Sequence, residues 1–223
     1  MPRSPRERMV FSAAQLIRRN GVAGTGMREV VAHADAPRGS LQHYFPGGKD
    51  QLVAEAARWG GDYAAKRVDK FLAALPEPTP GALLAAMAGQ WREDFLSDEY
   101  RAGCPVAASV VDCSATNPTV RRAASDAFAV WQNAVAAALR GMHVPHRRAR
   151  SLATLMIGAL EGAILIARAE RDPRALEVTV KELRPLLDAA VRNPPVPGRA
   201  AGAAGATGRP RSAPPAARTR SGR

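Results

Sequence analysis

Cysteine is nearly absent from this chain of 223 residues: Cys104 and Cys113 are the only two, too few for a disulfide framework. Aromatic residues make up 5%, and no segment alternates polar and apolar side chains with period two. Strands favour aromatic and β-branched residues, so an extended sheet is excluded. The first 20 residues carry Arg3, Arg6, Arg8, Arg18 and Arg19 with no continuous apolar stretch, which argues against a signal peptide. The longest apolar segment, residues 152–167, is interrupted by Glu161 and falls short of the roughly 20 residues that cross a bilayer. These absences predict a cytoplasmic protein with no membrane partner. Acids are missing from residues 193–223, which hold six arginines among Pro, Gly and Ala. A segment so poor in large apolar residues cannot offset its chain entropy and reads as a disordered tail.

What the chain has is alanine, arginine and helical spacing. The net charge is +12, which points to a polyanionic partner such as nucleic acid. Six of those charges sit on the tail, so the folded part is only moderately basic. Met9, Val10, Ala13, Ala14, Leu16 and Ile17 recur at helical spacing, and Asn20-Gly21 supplies a stop. Thr25 is placed to cap a second helix that carries Met27, Val30, Val31 and Ala34. Asp35-Ala36-Pro37 breaks it, since the residue before a proline is pushed from helical angles. A short third helix is expected over 37–44 and ends at Pro46-Gly47-Gly48. Beyond it, Pro and Gly punctuate helices expected over 49–74, 81–96, 106–114, 118–139, 145–169 and 173–191. The fold class is therefore all-α. The expected division is a DNA-binding unit at 1–48, a helical unit at 49–192 and the tail at 193–223.

Three short helices, the second and third joined by a tight turn, outline a helix-turn-helix, in which the third helix enters the major groove. The strings Thr25-Gly-Met-Arg-Glu-Val-Val-Ala-His-Ala34, Pro37-Arg-Gly-Ser-Leu-Gln-His-Tyr-Phe-Pro46 and Gly48-Lys-Asp-Gln-Leu52 closely resemble the DNA-binding signature of the TetR family. Phe45-Pro-Gly-Gly-Lys49 and Gly103-Cys104-Pro105 look like its LmrA/YxaF-type branch. The resemblance implies a homodimeric, ligand-responsive repressor with an N-terminal three-helix reading head and a C-terminal helical domain for effector binding and dimerisation. It implies double-stranded DNA with a palindromic operator and a small hydrophobic effector as partners, and no cofactor, metal ion or catalytic residue.

On this template Arg38, Gly39, Ser40 and Gln42 face base edges; arginine can pair bidentately with guanine, and Gly39 allows close backbone approach. Leu41 and Phe45 fall on the opposite, core face. Thr25, Arg28, His43, Tyr44 and Lys49 are placed to hold phosphates, Lys49 near a helix start that also favours anions. The family usually has Tyr where this chain has Gln42, so a common phosphate contact is replaced by base readout or lost. His33 reads as an ordinary surface side chain.

Two half-sites require a two-fold dimer. The apolar helix holding Gly158, Glu161, Gly162 and Leu165 offers the best surface, because glycines four apart permit close helix approach. Leu183 and Leu187 on the last helix would complete a four-helix contact. Glu161 is the one acid of the apolar helix, placed either at an effector or at a polar contact across the dimer. The large apolar residues Met87, Trp91, Phe95, Phe128, Trp131 and Met156, with Cys104 at the turn, suit an effector cavity, although such a stripe also reads as plain core.

Three other readings compete. Cys104 with His143 or His146 would make a nucleophile and base, but nothing local supplies an orienting acid or an oxyanion site. Cys104 and Cys113 would make a thiol sensor. The arginine tail would suit a nonspecific nucleoid-type binder.

Overall fold

The computed structural model describes residues 4–37 and 39–191. They form nine α-helices and no strand among the described residues: α1 Pro5–Asn20, α2 Met27–His33, α3 Ser40–Tyr44, α4 Gly48–Ala74, α5 Pro80–Ser97, α6 Pro105–Cys113, α7 Pro118–Gly141, α8 His146–Glu170 and α9 Arg174–Asp188. The tail at 192–223 and Arg38 lie outside the described residues.

Local chemistry sets the starts and stops. Ser4 and Glu7 close a reciprocal capping box on α1: the Glu7 amide donates to Ser4 Oγ at 3.2 Å and the Ser4 amide to Glu7 Oε2 at 2.7 Å. Gly21 ends α1 with φ of +72°, a conformation that costs glycine nothing. Asn117 Oδ1 accepts from the amides of Thr119 and Val120 at 3.1 Å, and Pro118 opens α7 behind it. Asp35 takes a left-handed φ of 46° in the turn between α2 and α3, tolerated because aspartate is among the few side chains that visit this region.

Two starts differ from the sequence reading. Gly26 occupies the N-cap of α2, and its amide donates to Glu29 Oε2 at 3.3 Å. Thr25 instead turns inward and donates its hydroxyl to the Gly21 carbonyl at 2.7 Å. The third helix begins at Ser40 rather than at Pro37, because the chain from Pro37 makes a turn closed by Ser40, whose amide and hydroxyl both donate to the Pro37 carbonyl at 3.0 and 2.6 Å.

The core has three parts. Met9, Ala13, Ile17, Val30, Val31 and Phe45 pack α1, α2 and α3 together, and Leu52, Val53 and Ala56 from the first turns of α4 complete that cluster. Leu83, Leu84, Val135, Leu139, Leu152, Met156 and Leu160 join α5, α7 and α8, with Leu176 and Leu187 of α9 closing the far side. A small third cluster of Cys104, Val106, Ala124 and Ala127 lies at the start of α6.

The long helix α4 packs most extensively on α7. Gly61 makes that approach possible: a Cβ there would stand 2.6 Å from Ala127 Cα. Tyr63 of the same helix is half exposed. α8 matches the expected 145–169 within one residue at each end, although its apolar run covers only 152–167. At 25 residues it is, among the described residues, the one helix long and apolar enough to cross a membrane. In the protomer its inner face is instead closed against α7 and α9.

Candidate nucleic-acid interface and interior cavity

The reading head is held from behind. Phe45 is fully buried, and Leu41 and Tyr44 pack on the same cluster, so the opposite edge of α3 is turned outward. Gly39, Gln42 and His43 are exposed there, and Ser40 is half-buried with its hydroxyl hydrogen committed to Pro37. Arg28 is exposed on α2. His43 and Tyr44 meet edge-on at 5.0 Å, and Lys49 sits half-buried on the first turn of α4.

Gly39 is informative because the fold does not require it. Its φ is −77° and a Cβ there would meet nothing within 4 Å. Thr25 is buried to 4% exposure with its hydroxyl donating to Gly21. His33 lies away from α3, its Nδ1 2.9 Å from the hydroxyl of buried Ser12. Arg8 of α1 steadies the turn by donating to the carbonyls of Ala34 and Asp35, each at 2.9 Å. Arg6 pairs with Glu55 at 2.7 Å and lies 5.4 Å over the Phe45 ring.

The end of α1 is the junction with the remaining helices. Arg18 pairs with Asp94 of α5 at 2.9 Å, and Arg19 with Asp98 at 3.0 Å. Arg18 and Gly103 bond twice: the Gly103 amide donates to the Arg18 carbonyl at 2.6 Å and Arg18 Nε to the Gly103 carbonyl at 3.1 Å. Asp112 of α6 accepts from the Val22 amide at 2.6 Å.

Beside this junction lies a cavity of about 330 Å³. Met87, Trp91, Cys104 and Trp131 line it, as the sequence reading placed them. Phe95 and Met156 are fully buried in the core, and Phe128 stacks on Trp131; none of these three is part of the wall. The sequence reading missed the opposite wall: Phe11 and Arg18 from α1, Trp59, Tyr63 and Arg67 from α4, and Gln90 and Asp94 from α5. All three tryptophans of the chain border this space. The α1 and α4 contributions were legible only as core or surface stripes, because nothing local marks helices that meet across a void.

Two acid–base features sit near the wall. Glu161 is 9% exposed. Burial raises its carboxyl to about 7, opposed by an interaction with the Cys104 thiol. Neither carboxylate oxygen has a full hydrogen-bond partner among the described residues. Burial, and secondarily the Glu161 charge, push Cys104 well above the usual thiol range. Cys113 is likewise raised, by burial and then Asp112. Both thiols therefore stay protonated near neutral pH and are poor nucleophiles.

On the outer side of α8, Leu155, Leu165 and Ile166 are 41–53% exposed. Gly158 and Gly162 share that stripe, and a Cβ at either would meet nothing within 4 Å. Leu183 is half-buried, and Leu186 is exposed on α9. Glu161 and Leu187, grouped with this face in the sequence reading, are buried inside the protomer. Helical spacing sets position 161 within one turn of Ile157 and Ile164 as well as of Gly158 and Leu165, at the border between the two faces, and the fold buries it.

A braced outward helix, a bipartite helical body and a cavity at their seam define a helix-turn-helix regulator. Residues 12–56 match the bacterial regulatory proteins of the tetR family, and residues 80–182 match the C-terminal domain of LmrA/YxaF-like transcriptional regulators. An uncharacterised helix-turn-helix-type transcriptional regulator of Mycobacterium tuberculosis is 40% identical over 189 residues, covering 82% of this chain and 94% of that one. The transcriptional regulator LmrA of Bacillus subtilis is 29% identical over 182 residues, covering 82% and 90%. The crystal structure of a TetR regulatory protein from Rhodobacter sphaeroides superposes with a TM-score of 0.69 at 22% identity, over 80% of this chain and 96% of that one. The chain belongs to the TetR family, with an LmrA/YxaF-like C-terminal domain. It is a DNA-binding transcription regulator and not an enzyme.

Proposed function

We propose that the protein is a cytoplasmic homodimeric repressor that leaves a palindromic operator when a small hydrophobic effector fills the cavity. The observation that carries this reading is that α1 of the reading head lines the cavity through Phe11, Gln15 and Arg18, opposite Trp91 and Trp131 of the helical body. An occupant bears directly on the helix that carries α2 and α3. Release is then a population shift: an effector favouring a conformation whose recognition helices no longer match successive major grooves lowers operator affinity.

In this reading residues 1–48 are the reading head and 49–192 the effector and dimer unit. Arg38, Gly39, Ser40 and Gln42 face bases, with Arg28, His43, Tyr44 and Lys49 on phosphates. Thr25 is left out of this set, since it is buried with its hydroxyl donating to the Gly21 carbonyl and its amide to the Val22 carbonyl. Dimerisation uses the α8 stripe of Leu155, Gly158, Gly162 and Leu165 with Leu183 and Leu186 of α9. The protonated state of both thiols disfavours the thiol-sensor reading.

The test is fluorescence anisotropy on the intergenic DNA beside the protein's own gene. Two protomers should bind an inverted repeat there with salt-dependent affinity. Equal affinity for scrambled DNA would reduce the protein to a nonspecific binder.

A further inference from the structure

The cavity is lined with flat rings and carries one cation without a counter-charge. Trp59 and Tyr63 stack on each other at 5.2 Å and 15°, and Trp91 and Trp131 also face the space. Arg18 and Asp94 neutralise one another at 2.9 Å. Arg67 has no ion-pair partner among the described residues. Its guanidinium lies 5.0 Å over Phe71 and 6.0 Å from the Tyr63 centroid, Nη2 donates to Gln90 Oε1, and Nε is buried without an acceptor. An unmet buried N–H of a charged group is costly, and an anionic oxygen satisfies it best.

We propose that the cavity takes a flat aromatic anion, a carboxylate or phenolate of one or two fused rings, whose acidic oxygen is held by Arg67. This rests on the effector reading above and names the ligand's chemistry. The volume suits such a molecule, near the small end of ligand sites. A cationic ligand fits less well: Asp94 already accepts from Arg18 and from Gln90 Nε2 at 2.9 Å, and Glu161 does not border the space.

The same contacts connect the anion to the reading head. Arg67 donates to Gln90, Gln90 to Asp94, and Asp94 accepts from Arg18 of α1. An oxygen that draws Arg67 from Gln90 frees the end of a chain of bonds that terminates on α1.

The test is calorimetric titration of the full chain with 2-naphthoate, its methyl ester and 2-naphthylmethylammonium, with tryptophan emission reporting location. The wild type should bind naphthoate about tenfold or more tighter than the ester or the cation, with quenching. R67M should remove most of that preference while leaving ester affinity within about threefold, which also shows that the variant is folded. R67K, which keeps the charge but not Nε–H, should fall between them. The proposal is overturned if R67M keeps the preference, if the ester binds as tightly as the acid, or if none of the three probes binds. Naphthoate that binds without lowering operator affinity would leave the anion site standing and refute the release mechanism. Specific operator binding by a protein that takes up none of the three probes would do the reverse.

Discussion

Arg18 Nη2 and Asp94 Oδ2 stand 2.9 Å apart across the seam between α1 and α5, on the wall of the cavity. The Arg18 guanidinium also donates to Gly103 and lies 5.4 Å over Trp91. A half-buried pair held by a second bond loses less to side-chain entropy and solvent screening than an exposed one. In a double-mutant cycle with R18Q and D94N, chemical denaturation should give a coupling of about 1 kcal/mol. The neighbouring Arg19–Asp98 pair, with its arginine 44% exposed, should give at most about half of that. Equal coupling in the two cycles would remove Arg18 from its place as the link between reading head and body.

Glu161 makes stability fall as pH rises. Burial lifts its carboxyl from 4.5 to about 7. Between those values the folded protein holds a proton that the unfolded chain has released, so stability drains through that window and the loss is complete above about pH 7. A shift of this size corresponds to about 3 kcal/mol. Replacing Glu161 with Gln removes the charge and keeps the shape. E161Q should gain about 2 kcal/mol at pH 8, on the order of 6 °C in melting temperature, and gain nothing near pH 4.5. Differential scanning calorimetry at the two pH values checks this; an equal gain at both would show that ionisation is not the cause.

Much of this architecture was legible because proline, glycine and helical spacing act locally. Pro80, Pro105 and Pro118 open three helices where an amide has no partner to lose, and Gly21 closes α1. The starts of α2 and α3 were misread because capping depends on which side chain wins a local bond: Glu29 reaches the Gly26 amide, while Thr25 turns back to Gly21. Long-range meetings were the blind spot. Gly61 gives no local signal of its contact with Ala127, nor does Arg67 of its place opposite Gln90. Glu161 shows the same limit: a lone acid in an apolar helix marks a special position, but not which side of the helix faces water.

Gln42 is exposed on the outer edge of α3 with Leu41 and Phe45 behind it, so its removal leaves the packing intact. As a base reader its amide would bond one base pair, and Q42A should cost about 1–3 kcal/mol and relax preference at that position alone. K49A should weaken all sequences alike and reduce the salt slope by about one. Binding to a panel of single-position operator variants separates the two. An unchanged preference in Q42A would leave Gln42 a positional role only.

The α8 stripe predicts the last outcome. Leu165 and Ile166 are half exposed, and among the described residues nothing stands within 4 Å of a Cβ built at Gly158 or Gly162. An acid placed there leaves the protomer core untouched but is stranded if a second copy covers the stripe, because an unpaired buried charge costs several kcal/mol. L165E together with I166E should therefore convert a dimer into a folded monomer of 23.6 kDa by light scattering, with its helical content retained. Affinity for the full inverted repeat should fall to that of one half-site, since one reading head contacts only a few base pairs. A variant that stays dimeric would move the interface to another face, and one that lost helix content would show that the stripe is closed within the protomer.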